Sequence, residues 1–368
     1  MDSNSGYRIT SKQLIFIMIG SMLGSGILSL PRLTAKEVGQ DAWFAVIVGS
    51  LLPLVSLSLV RLLYKRNNDS SFVKVCRKVS NKWLGGLFSM LLAVYSLLTA
   101  AFVLRLFIEV ISMFLLTETP MLVKLILMLS VSAYLVCGNA KVLGRVNEFL
   151  FYLLLPIIFF SLPAVIANAD IRNLMPVFNY KITDYVRAAL TTGLAFTGFE
   201  LYLVFHPYVI REKESFSAGL YALLITLAIY LYTVLGTISV FGPKLTQEFT
   251  WPTLRVLATT EVPSLERIEF LFIQWWIAVS FRPISNQYFC SSQIIAEVFG
   301  LRSQKWVAFA LFPVIILIAS YPKDIFTVFK LSDYIGMVAV CIGIVLPLIL
   351  IIFGMYKGKE NVAKNEDK

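Results

Sequence analysis

The chain has 368 residues; 58% are hydrophobic and only 15% charged, with 32 basic against 22 acidic side chains. A soluble core stops growing near ~250–300 residues and cannot hide so large an apolar fraction, which excludes a soluble enzyme and a disordered chain. The apolar runs are continuous rather than alternating, which excludes an outer-membrane barrel and points to a polytopic all-α membrane protein.

Taken in chain order, apolar runs predict about ten transmembrane helices, at 13–35, 42–63, 84–116, 121–137, 148–167, 184–207, 217–240, 266–296, 306–320 and 332–356. They make a single transmembrane domain, 13–356, with halves of about 13–167 and 184–356, between an N-terminal segment (1–12) and a tail (357–368). The first run, from Leu14 to Leu30, lacks a small-residue cleavage site and is followed by Pro31-Arg32, so it reads as a span and not as a signal peptide. The third is long enough to tilt or to project from the bilayer.

With the N-terminus inside, inner segments carry 18 Lys and Arg and outer segments 7. That bias places both termini in the cytoplasm. The 64–83 loop dominates it, with Lys65, Arg66, Lys74, Arg77, Lys78 and Lys82. It reads as a topology determinant, with docking of a cytoplasmic partner or of anionic membrane lipid as the alternative; the net charge of +10 is not read as nucleic-acid affinity. Two outer segments look structured: 168–181, with Met175-Pro176-Val177, and 241–264, with Thr250-Trp251-Pro252-Thr253. The second is expected to form a short interfacial helix with Trp251 at headgroup level.

Helix 1 contains Gly24-Ser25-Gly26 near its middle. Glycine costs about 1 kcal/mol against alanine inside a helix and permits non-helical dihedrals. Gly20 and Gly24 are also spaced for close helix packing. Helix 6 repeats the feature as Thr197-Gly198-Phe199-Glu200. Each is the first of five helices, and an odd number per half forces two halves of opposite orientation, a five-plus-five inverted repeat. Interrupted helices at matching positions of inverted halves point to a binding site at the midplane. There the free N–H groups of Ser25, Gly26 and Ile27 would hold an anionic group such as a carboxylate.

Deep ionisable residues are few: Arg105, Glu109, Glu200 and Arg282. Each costs at least ~2.5–3.5 kcal/mol at the bilayer centre unless paired or in a polar cavity. Arg105 and Glu109 are four apart and read as a structural pair. Arg282 lies in Ser280-Phe281-Arg282-Pro283-Ile284-Ser285-Asn286-Gln287, where Pro283 frees one backbone carbonyl. Two readings of Glu200 and Arg282 stay open: a buried ion pair, or Arg282 on a ligand carboxylate and Glu200 on an amine or cation. Tyr95 and Thr99 share a face of helix 3 and either line a pocket or bond between helices. Cys76, Cys137, Cys290 and Cys341 are scattered and read as reduced thiols. With His206 the single histidine, and no phosphate loop or nucleophile elbow, no metal, cofactor or enzyme activity is expected.

The stretches Gly24-Ser25-Gly26-Ile27-Leu28-Ser29-Leu30-Pro31-Arg32, Met175-Pro176-Val177, Gly198-Phe199-Glu200, Thr250-Trp251-Pro252-Thr253, Glu266-Arg267 and Tyr321-Pro322-Lys323-Asp324 occur in order along the chain. Together they resemble the B subunit of bacterial spore germinant receptors, the germination permease family, which is similar to the amino acid–polyamine–organocation transporters. The resemblance implies a subunit in the inner membrane of the spore that acts with an A-type subunit and a C-type lipoprotein. It implies binding of a small nutrient such as an amino acid, sugar or nucleoside, near Gly24, Ser25, Gly26, Tyr95, Thr99, Thr197, Gly198 and the middle of helix 8. A secondary amino-acid transporter is the alternative, since fold does not decide function.

Overall fold

The computed structural model describes residues 8–24, 26–67, 71–259, 268–322 and 324–366. Among these residues the chain is α-helical, with one isolated parallel bridge between Ile9 and Val209 and no strand. In chain order the helices are α1 (Ser11–Met22), α2 (Gly26–Val38), α3 (Ala42–Gly49), α4 (Leu51–Arg66), α5 (Phe72–Val79), α6 (Lys82–Phe114), α7 (Met121–Val136) and α8 (Ala140–Asn168). There follow α9 (Ile182–Ala195), α10 (Tyr202–Phe205), α11 (Glu212–Glu248), α12 (Pro252–Ala258), α13 (Ile268–Val298), α14 (Gln304–Ser320), α15 (Ile325–Val340) and α16 (Leu346–Glu366).

Joined at their breaks, the helices of the described residues fall into ten segments at the positions expected for spans. Span 1 is α1 plus α2, and span 2 is α3 plus α4. Spans 3 to 5 are α6, α7 and α8. Span 6 is α9 continued by a tight turn, Phe199–Leu201, and α10. Spans 7 to 9 are α11, α13 and α14, and span 10 is α15 and α16 joined by a π turn, Cys341–Val345. Five helical stretches are long and apolar enough to cross a bilayer alone, and the bent pair of span 6 makes a sixth. Ser11–Met22, Met121–Val136 and Gln304–Ser320 are apolar but shorter. Large apolar side chains face outward, among them Leu127 (61% exposed), Phe149 (68%) and Leu317 (72%). A surface of this kind is stable against lipid and not against water.

Local signals set the helix starts. Thr10 caps α1 by accepting from Gln13 N, while Gln13 Oε1 accepts from Thr10 N, a reciprocal capping box. Asn81 and Asn139 cap α6 and α8 in the same way from one side. Just before α1, Ile9 N donates to Tyr208 O (2.9 Å), and Ile210 N donates to Ile9 O (3.0 Å). The start of span 1 therefore lies beside the end of span 6. The two spans run antiparallel, as an inverted repeat requires.

Arg105 and Glu109 form their ion pair within α6, and Arg105 also donates to Pro322 O (3.3 Å). Glu266-Arg267 and Lys323 lie outside the described residues. A short helix follows Trp251 as expected, α12, and its tryptophan is covered by protein. Trp251 is only 4% exposed. Pro252 starts α12, and Thr253 Oγ1 donates to Ile27 O (2.9 Å). That bond draws the helix onto α2 and carries Trp251 inward.

Candidate ligand-binding site

Both spans break at the glycines. Helix α1 stops at Met22; Leu23 (φ −86°, ψ 86°) leaves the helical region, and Gly24 N bonds back to Met22 O (3.2 Å). Helix α2 restarts at Gly26; Ser25 lies outside the described residues. In span 6, α9 ends at Ala195 and the chain bends by 55°. Gly198 sits there at φ 115°, in the region that glycine alone adopts without strain.

The two breaks touch. A Cβ on Gly198 would lie 2.3 Å from Ser21 O, inside any permissible contact. Behind them stands Tyr230 of α11, fully buried, its hydroxyl 2.7 Å from Met22 O and 2.9 Å from Ala195 O. These carbonyls close α1 and α9. Terminal helix carbonyls lack intrahelical donors, and within a membrane the protein must supply them. One phenolic O–H, shared between two acceptors, serves both breaks. Nothing in the sequence marked Tyr230, because the role exists only where two distant helix ends converge.

A cavity of about 180 Å³ opens at this junction. Gly24, Gly26, Thr99 and Thr197 line it, together with Pro283 and Gln287 of α13. Phe102, Leu106, Trp251 and Phe329 add apolar wall. Because α2 begins at the cavity, its first-turn N–H groups and positive dipole end are available there.

Tyr95, Gly198 and Glu200 stand behind the lining. Glu200 is fully buried, and its carboxylate accepts three hydrogen bonds. Tyr95 Oη (2.9 Å) and Gln287 Nε2 (2.9 Å) donate to Oε1, and Gly198 N (2.8 Å) donates to Oε2. The carboxylate thus ties α6, the span 6 break and α13 together. Tyr95 and Thr99 share a face as expected yet divide the work: Thr99 meets the cavity and Tyr95 meets Glu200.

Arg282 forms no ion pair with Glu200 among the described residues. It is fully buried and does not line the cavity, although Pro283 beside it does. Successive helical residues project ~100° apart. Pro283 and Gln287 face the cavity, whereas Arg282 and Asn286 face α1 and α8. Arg282 Nε donates to Val279 O (3.1 Å), the carbonyl that Pro283 leaves without an N–H. Its stem packs on Gly20, where a Cβ would lie 3.0 Å from Arg282 Cβ. Asn286 Nδ2 reaches Ile17 O (3.1 Å), Ser21 Oγ (2.9 Å) and Asn147 Oδ1 (3.1 Å). Two lining residues, Gln287 and Asp333, were not singled out as site residues from the sequence. Gln287 had a signal, its place one turn beyond Pro283; Asp333 had none, since span 10 shows no helix break.

The described helices, with two touching breaks in spans 1 and 6, define an all-α polytopic membrane protein. The fold is similar to that of MhsT solved in complex with L-phenylalanine (TM-score 0.64, 12% identity, covering 95% of this chain and 99% of that one). It is also similar to a Na+-coupled sialic acid symporter in a substrate-bound outward-open state (TM-score 0.68, 12% identity, 95% and 80% covered). At that identity the likeness is one of fold. Residues 8–328 match the spore permease family of spore germination proteins, and the chain belongs to that family. Relatives include spore germination protein YndE of Bacillus subtilis (27% identity over 354 residues, 95% of this chain and 97% of the relative). Spore germination protein GerQB of Bacillus cereus is 26% identical, with 84% of each chain covered. Spore germination protein KB of Bacillus subtilis is 30% identical, with 76% and 75% covered.

Proposed function

We propose that this chain is the membrane-embedded, ligand-binding subunit of a nutrient receptor that triggers spore germination. The observation that supports this reading best is the cavity at the junction of the two breaks. It offers the N-terminus of α2, hydroxyls from Thr99 and Thr197, and an apolar wall. A small nutrient of the amino-acid type would place its carboxylate at the start of α2 and its remaining atoms against Phe102 and Trp251. Occupancy would change the angle between the two parts of spans 1 and 6, since both breaks border the cavity. That change would pass to A-type and C-type (lipoprotein) subunits in the inner membrane of the spore, with both termini of this chain in the cytoplasm. No catalytic step is part of this role.

A thermal-shift screen of the purified protein over amino acids, sugars and nucleosides tests the reading. A stabilising nutrient is expected, and Gly24→Leu, whose side chain would project toward Pro283, should abolish the shift and the germination response at normal protein level. An unshifted response in that variant would count against the site. The likeness to transporters favours a second reading, secondary transport of an amino acid. Concentrative uptake by the chain alone in proteoliposomes would support transport; binding without uptake would support the receptor.

A further inference from the structure

Asp333 of α15 is the one ionisable side chain lining the cavity among the described residues. It is exposed, so it stands where the cavity opens. No hydrogen bond or ion pair joins it to the described residues.

Part of the polar lining shares its sign. Ser21 Oγ donates to Ile17 O (2.8 Å), Thr99 Oγ1 to Tyr95 O (2.9 Å) and Thr197 Oγ1 to Leu194 O (2.5 Å). Each hydroxyl proton is thereby committed to its own chain, and only lone pairs remain for a ligand. Gln287 gives its Nε2 to Glu200, and its Oε1 is buried without a partner. Away from the start of α2 the cavity thus presents several acceptors and a carboxylate, alongside the unpartnered Trp251 Nε1 and the hydroxyls of Ser29 and Thr191. The carboxylate and these acceptors match a cation that carries N–H donors better than a neutral alkyl group, which would leave them unmatched.

The helix packing gives the spacing. Gly336 lies against Leu194 near the end of α9, and Gly26 lies against Ala195 O. Asp333 precedes Gly336 by three residues, a rise of ~4.5 Å. Its carboxylate therefore sits about one helical turn outward from the N-terminus of α2.

We propose that Asp333 binds an ammonium group of the ligand, about one turn away from the ligand's carboxylate. The ligand class is then an amino acid or related zwitterion whose amine is separated from its acid by several bonds, with the linking carbons against Phe102, Leu106 and Phe329. Asp333 acts as the specificity-determining residue. The inference rests on the cavity being the ligand site.

The test is calorimetric titration of the purified full chain with 6-aminohexanoate and with hexanoate, which differ by the amine. The native protein is expected to bind 6-aminohexanoate roughly tenfold or more tightly than hexanoate, as a charge-assisted contact provides. Asp333→Asn should equalise the two, and Asp333→Glu should keep most of the preference. Since Asp333 is exposed and unpaired, an unchanged melting midpoint in Asp333→Asn is expected and verifies that the variant folds. Equal binding of both probes to the native protein, or an unchanged preference in Asp333→Asn, overturns the Asp333 assignment and leaves the cavity as a site. If neither probe binds, the assignment falls. The nutrient screen and Gly24→Leu then decide separately whether the cavity reading falls with it.

Discussion

The break in span 1 and the break in span 6 look alike as strings of residues, each with a glycine at the centre of an apolar helix. Their packing differs. Gly198 has a positive φ and rests on the backbone of Ser21. A Cβ on Gly24 would meet nothing nearer than Pro283 Cγ at 3.6 Å, an ordinary contact. The span 6 break therefore needs glycine, whereas the span 1 break tolerates a small side chain and is held open by its surroundings. One half thus supplies the close backbone contact between the breaks, and the other a face toward the cavity.

The largest effect should come from Gly198→Ala. Left-handed strain of about 1–2 kcal/mol adds to a backbone clash worth about 1–3 kcal/mol, so membrane abundance and melting midpoint should both fall steeply. Near-native abundance of this variant would erase the contrast between the breaks.

Next comes Glu200→Gln. The amide cannot accept at both ends, so one of Tyr95, Gln287 or Gly198 N would face a donor, at about 1–3 kcal/mol. Because Arg282 bonds elsewhere, the Glu200→Gln/Arg282→Gln double variant should show no rescue of abundance over the singles, their effects adding. Rescue would mean that the two charges meet after all.

Tyr230→Phe should cost about 1–2 kcal/mol, the loss of one shared donor to two buried carbonyls. It should loosen both breaks together, which hydrogen exchange at residues 19–24 and 193–198 would register. Loosening confined to one break would show that they are supported separately.

The smallest effect should be that of Gly24→Ala, within about 0.5–1 kcal/mol of the native protein in melting. A collapse comparable to Gly198→Ala would show that the span 1 break needs glycine too.

Much of this was legible in the linear chain. Span number, the two interruptions and the Arg105–Glu109 pair follow from apolar runs, glycine and spacing of four, all properties of residues near one another in sequence. Backbone polar groups in a bilayer must be satisfied within helices or a closed barrel, and the continuous, non-alternating apolar stretches leave helices.

Side-chain direction was decided only by tertiary packing. Arg282 and Pro283 are neighbours, yet one mends its own helix against Gly20 and the other faces the cavity; helical rotation separates them, and only the positions of α1 and α6 say which side is which. Glu200 was expected to need a cation and instead finds three donors on three elements. That Trp251 is covered by protein and lines the cavity, beside the Thr253 bond to Ile27, was visible only in the folded chain. Tyr230 and Asp333 carried no local signal at all, since a donor for two helix ends and an acid at a cavity mouth are defined by chain segments far apart in sequence that converge only in the folded protein.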